Sequence, residues 1–123
     1  SLYYVMSEGY DEEGIRDSYR TNFGIRTIEF RADSGFYLNG KHYPIKGTCN
    51  HQDFAGVGVA LPDQLIAYKI KLLKEMGCNA YRSAHHPATP ELLDLCDQLG
   101  MLVVDENRKL DISPNGIEDL KYM

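Results

Sequence analysis

The spacing of apolar residues changes character along the chain. The first third reads as strands. Leu2-Tyr3-Tyr4-Val5 is a short aromatic, β-prone run. Ser7 to Arg16 carries Gly9, Asp11, Glu12, Glu13 and Gly14, a composition that predicts a turn or loop. From Ile25 to Arg31 the residues alternate, with Arg26, Ile28 and Phe30 on one side, which predicts a strand with one apolar face. Phe36-Tyr37-Leu38 and His42-Tyr43-Pro44-Ile45 then flank Asn39-Gly40. Asn-Gly favours a type I′ hairpin, because both central residues need positive φ. Pro44 has no N–H for a ladder and belongs at an edge or near a strand start.

After Gly47 the period becomes helical. Ile66, Ile70 and Leu73 follow i, i+4, i+7 spacing behind Pro62-Asp63, and Gly77 stands where a helix-terminating glycine belongs. A short segment, Asn79 to Arg82, follows. Thr89-Pro90 supplies an N-cap and a first-turn proline for a second helix, with Leu92, Leu93, Leu95, Cys96 and Leu99 on its apolar side and Gly100 at its end. Met101 to Val104 is a continuous apolar run, as in a parallel strand covered on both faces. Ser113-Pro114 with Ile117 and Leu120 predicts a third helix. The repeated order of helix, glycine and strand predicts an α/β fold with a parallel sheet and right-handed crossovers. Two architectures fit: a small doubly wound domain, or an arc of a (β/α) barrel.

In both, ligands gather at the carboxyl ends of the parallel strands. The strand near Ile45–Thr48 is followed by Asn50, His51 and Asp53. The strand near Asn79–Tyr81 is followed by Arg82, His85 and His86, and the Met101–Val104 strand by Asp105, Glu106 and Asn107. Three successive strand ends thus deliver polar or titratable groups to one rim. His51, His85, His86 and Cys49 include zinc's preferred ligand types, but adjacent histidines rarely face one ion. Asp105-Glu106 offers an acid/base carboxylate, or a structural one that orients Arg82 or caps a helix.

Composition narrows the choices. The chain has 123 residues, 43% hydrophobic and 25% charged, which is globular rather than disordered composition. It is too short for a complete barrel of about 250 residues. A net charge of −5 argues against nucleic-acid binding. No apolar run approaches the roughly 20 residues of a membrane span. No signal-peptide pattern opens the chain, although Ser1 in place of Met leaves processing or excision open. Cys49, Cys78 and Cys96 form neither a disulfide framework nor a zinc pattern, so Cys78 and Cys96 are expected as buried thiols and the compartment stays open. Gly56-Val57-Gly58 is not a phosphate loop, and no G-x-S-x-G elbow occurs.

Several stretches resemble glycoside hydrolase family 2, the β-galactosidase and β-glucuronidase family. They are Phe23-Gly24-Ile25-Arg26, Leu38-Asn39-Gly40-Lys41, Gly47-Thr48-Cys49-Asn50-His51, Asn79 to Pro87, Leu95-Cys96-Asp97 and Gly100 to Glu106. The resemblance implies that residues 1–33 end an immunoglobulin-like β-sandwich domain. Residues 34–123 would open a TIM-barrel glycosidase domain, of which about three of eight units are present. It implies a retaining β-glycosidase of β-galactosidase type, with a carbohydrate substrate and no cofactor. The family's acid/base glutamate follows an Asn, and no Asn-Glu pair occurs here, so no catalytic glutamate is expected in this segment. His51 resembles a histidine lining the sugar subsite, Arg82 the arginine that pairs with the nucleophile carboxylate, and His85 a second histidine at the sugar. Some members bind magnesium through a glutamate four residues beyond the position of Glu106; here that place is Leu110 and no metal is expected. A truncated barrel would leave open strand edges and is expected to self-associate. The rival reading is a non-catalytic sugar-binding or interaction module, and a weaker one a metal-binding domain using His51, His85 and His86.

Overall fold

The computed structural model describes residues 1–106. The third predicted helix, Asn107 and Leu110 lie outside the described residues. The chain divides into two compact units, Ser1–Ile45 and Lys46–Met123.

The first unit is antiparallel. Strands β1 (Leu2–Asp11) and β2 (Gly14–Gly24) form a long hairpin, and β3 (Ile28–Arg31), β4 (Gly35–Leu38) and β5 (Lys41–His42) form a three-stranded sheet in that order. The expected loop over Ser7–Arg16 shrinks to a turn at Glu12-Glu13. Asp11 Oδ1 accepts from the Glu13 backbone N–H at 2.8 Å, and Arg16 pairs with Asp11 and Glu13 across the turn. The polar residues on either side enter the ladder, with Tyr3 opposite Phe23 and their rings 5.8 Å apart. Ile25–Thr27 is not strand. The Asn39 side chain accepts from the Thr27 N–H at 3.0 Å, and the Asn39 N–H donates to the Thr27 carbonyl at 2.9 Å, so the hairpin turn takes up this backbone. Ile28 and Phe30, the expected apolar face, are exposed. The Asn39-Gly40 turn forms as expected, with φ of 51° and 74°.

The second unit is a βαβαβ arrangement. Strands β6 (Gly47–Asn50), β7 (Ala80–Ser83) and β8 (Leu102–Val104) are parallel and lie in sequence order, with Cys49 beside Arg82 and Arg82 beside Val104. Helices α1 (Asp63–Glu75) and α2 (Pro90–Leu99) make the crossovers. Gly77, at φ 89°, ends α1: its N–H reaches the Lys74 carbonyl and the Cys78 N–H reaches that of Leu73, which satisfies two orphan carbonyls. Thr89 Oγ1 accepts from Leu92 N–H, Pro90 opens α2, and Gly100 at φ 68° closes it. Gly47 is required by a close approach, since a Cβ there would lie 2.7 Å from the Ala80 carbonyl oxygen.

The core lies between sheet and helices. Ile70, Leu73, Tyr81, Cys96 and Met101 are buried together, with Leu92, Leu95, Leu99 and Val103 packed on them. Cys96 is buried as expected, its thiol pKa pushed up by burial to about 11, while Cys78 is only half-buried. The parallel strands, helix ends and mixed α/β class agree with the sequence expectation.

Candidate functional site at the carboxyl ends of the parallel strands

Period-two alternation sends Tyr81 and Ser83 of β7 toward the helices and Arg82 to the opposite face, where Cys49 and Val104 are its register partners. Arg82 Nη1 donates to Cys49 Sγ at 3.2 Å, and Nη2 forms an ion pair with Glu106 Oε1. The other Glu106 oxygen lies 2.7 Å from His85 Nδ1. The His51 ring meets the His85 ring edge-on, with centroids 5.5 Å apart. Cys49, His51, Arg82, His85 and Glu106 thus form one linked group at the carboxyl ends of three adjacent strands. His51, Arg82 and His85, the three residues singled out for the sugar site, come together.

The electrostatics follow from the contacts. The Arg82 pKa is raised, by the Cys49 sulfur first and by the Glu106 charge after it. Among the described residues two guanidinium nitrogens are engaged, Nη1 and Nη2, which orients the fork. With Nδ1 facing a carboxylate, the His85 ring donates there, which fixes its orientation. Glu106 acts as the shared partner of Arg82 and His85, which fits an orienting carboxylate better than a free acid/base.

Other candidates fall elsewhere. His86 turns away from His85: its Nδ1 donates to the Pro87 carbonyl at 2.7 Å, and its Nε2 is buried with no hydrogen-bond partner among the described residues. Ser83, fully buried, donates to the His86 carbonyl at 2.9 Å. Asp105 Oδ1 accepts from the Ala88 N–H at 2.8 Å, tying the chain after β7 to the end of β8. Asn50 donates to the Thr48 carbonyl and hydroxyl. The peptide between Ala84 and His85 is cis. Among the described residues, no group of three or more His, Cys, Asp and Glu side chains is placed to hold a metal ion.

Two participants escaped the sequence reading. Cys49 was weighed only as a metal ligand, though its strand position opposite Arg82 becomes visible once register is known. Lys69, on α1, donates from Nζ to the His51 carbonyl at 2.8 Å. It also lines, with His51, Ile70, Tyr81, His86 and Leu92, a cavity of about 70 Å³ between sheet and helices. Nothing in the helical periodicity marked Lys69 from its neighbours.

Known proteins are similar to this chain in sequence and fold. The TIM barrel domain of the glycosyl hydrolases family 2 matches residues 28–116. The chain is 44% identical over 105 residues to the β-galactosidase BoGH2A of Bacteroides ovatus, covering 85% of this chain and 12% of that protein. It is likewise 44% identical over 100 residues to a β-glucuronidase of Bacteroides fragilis, covering 80% of this chain and 14% of the relative. Among solved structures, a β-glycosidase from Bacteroides vulgatus superposes with a TM-score of 0.80 at 43% identity, over 86% of this chain and 14% of that one. A β-glucuronidase from Ruminococcus gnavus in complex with D-glucuronic acid gives a TM-score of 0.75 at 29% identity, over 86% and 18%. The chain therefore spans less than a fifth of the length of each of these four proteins. By its parallel α/β unit and its match to the barrel model, the chain belongs to glycosyl hydrolase family 2, through that family's TIM barrel domain.

Proposed function

We propose that this chain is a segment of a retaining β-glycosidase that hydrolyses terminal β-linked sugars, of β-galactoside or related type. Residues 1–33 are read as the last strands of an immunoglobulin-like sandwich domain, and residues 34–123 as the opening of the catalytic barrel, about three of its units. The names of the relatives, β-galactosidases and β-glucuronidases, support the substrate class.

The observation that carries the reading is the linked group around Arg82. Retaining hydrolysis needs two carboxylates about 5–5.5 Å apart, one as nucleophile and one as acid/base. Glu106 is committed to Arg82 and His85, and the pair of reacting carboxylates belongs to later strands. The role of this segment is then positioning. His51 and His85 present imidazole edges to sugar hydroxyls, and the Arg82 guanidinium faces the nucleophile carboxylate. Fixed donors aimed at a reacting centre lower the barrier without reorganising during the reaction.

Turnover of a nitrophenyl β-galactoside and a nitrophenyl β-glucuronide by the full-length enzyme tests this, with Arg82→Ala beside the parent sequence. Loss of a positioned donor of this kind lowers kcat by about a hundredfold or more. Near-normal kcat would remove Arg82 from the site. The 123-residue chain by itself is expected to be silent and to associate in light scattering, since β6 and β8 are sheet edges and Val104 is exposed. Turnover by the isolated chain would refute the assignment of the reacting carboxylates. Specific sugar binding without turnover by any form would favour a non-catalytic module.

A further inference from the structure

The backbone that carries His51 has few anchors of its own. The Asn50 carbonyl accepts from the Ala84 N–H at 3.0 Å, which closes the ladder of β6. The next main-chain bond along the described chain is the small bridge in which the Phe54 N–H reaches the Gly58 carbonyl at 2.9 Å. Between these two points, among the described residues, the backbone is held by the bond from Lys69 Nζ to the His51 carbonyl.

Lys69 is well placed for this. It precedes Ile70, which is fully buried, so its Cα is held by the inward face of α1. Burial lowers its pKa from the ordinary lysine range, and the nearby Asp53 charge opposes that shift. A charged ammonium donating to a neutral carbonyl beside a mostly apolar cavity makes a stronger bond than a neutral donor would. Holding the His51 carbonyl restrains the backbone at His51, and so the Cα from which the ring that meets His85 at 5.5 Å projects.

We infer that Lys69 is a positioning residue for the sugar site, acting through the His51 main chain from the helix layer behind the sheet. The inference rests on the reading of His51 and His85 as sugar-binding groups. It adds that the orientation of His51 is set by a residue that itself does not face the substrate.

The test is a double-mutant cycle in the full-length enzyme, read as kcat and KM on a nitrophenyl β-glycoside. Lys69→Met is expected to lower kcat/KM by about tenfold, the size of one charge-assisted hydrogen bond. Lys69→Arg, which keeps a charged donor, is expected to recover most of that loss. In a His51→Ala background, Lys69→Met is expected to have no further effect, because the group it positions is gone. Lys69→Gln serves in the same cycle where the methionine variant does not fold. An unchanged kcat/KM for Lys69→Met, or a loss that simply adds to that of His51→Ala, overturns the inference while leaving the sugar-site reading in place. An unimpaired His51→Ala enzyme overturns both.

Discussion

The two faces of the parallel sheet are built from alternate residues of the same strands, yet they do opposite work. On one face Tyr81 is 1% exposed and packs with Ile70, Leu73, Cys96 and Met101. On the other, one residue along, Arg82 is bonded to Cys49 and Glu106 and its side chain is 40% exposed. The first face is dry and apolar and draws its stability from burial. The second keeps charge near water, where an ion pair adds little to stability but fixes direction. A change in the apolar core on the helix side should therefore be read in unfolding, and a change on the Arg82 side in turnover.

The sharpest test of that division is Tyr81→Ala. Removing a buried aromatic ring should destabilise the protein by about 3–5 kcal/mol, visible as a fall in the urea midpoint. An unchanged midpoint would mean that the helix-facing side is not the core. Gly47→Ala probes the seam between the faces. The new Cβ would meet the Ala80 carbonyl, so β6 and β7 must part, at about 1–3 kcal/mol. The shift would also move Cys49 from Arg82, so kcat should fall along with stability; loss of stability alone would separate the seam from the site.

Two of the three cysteines contrast the faces directly. Cys49 is exposed and should react with a thiol reagent in the native protein, whereas Cys96 should react only on unfolding. The Cys96 pKa is raised in the folded state, so the unfolded chain loses this proton first as pH rises. Stability is retained below the ordinary thiol pKa and declines toward about pH 11. The slope from this group is at most about 1.4 kcal/mol per pH unit, and Cys96→Ala should flatten it in unfolding curves taken across that window. The smallest effect expected is from Thr89→Ala, about 1 kcal/mol for a lost N-cap, with kcat unchanged. A larger loss, or a change in kcat, would tie the start of α2 to the site through the neighbouring Ala88–Asp105 bond.

Local chemistry made much of this legible in advance. Asn39-Gly40, Thr89-Pro90, Gly77 and Gly100 each mark a turn or cap whose backbone geometry few other residues adopt, and each appears where expected. The alternation over Ile25–Arg31 was legible only in part, because the Asn39 turn competes for the Thr27 backbone. The polar run after Ser7 misled for a related reason. An exposed hairpin pairs through its backbone, and polarity by itself says little about pairing.

The site shows the same boundary between local and non-local information. The residue types and their positions after three strands were determined by the sequence alone, because strand and helix signals are local and a parallel sheet places strand ends on one side. Which of those residues meet was decided by tertiary structure. Register alone puts Cys49 against Arg82, the ends of β7 and β8 bring Glu106 to both Arg82 and His85, and the packing of α1 brings Lys69 to His51. Two adjacent histidines, alike in sequence, part company because one faces a carboxylate and the other a backbone carbonyl. Such contacts span 18 to 33 residues, a separation at which no periodicity in the chain carries information.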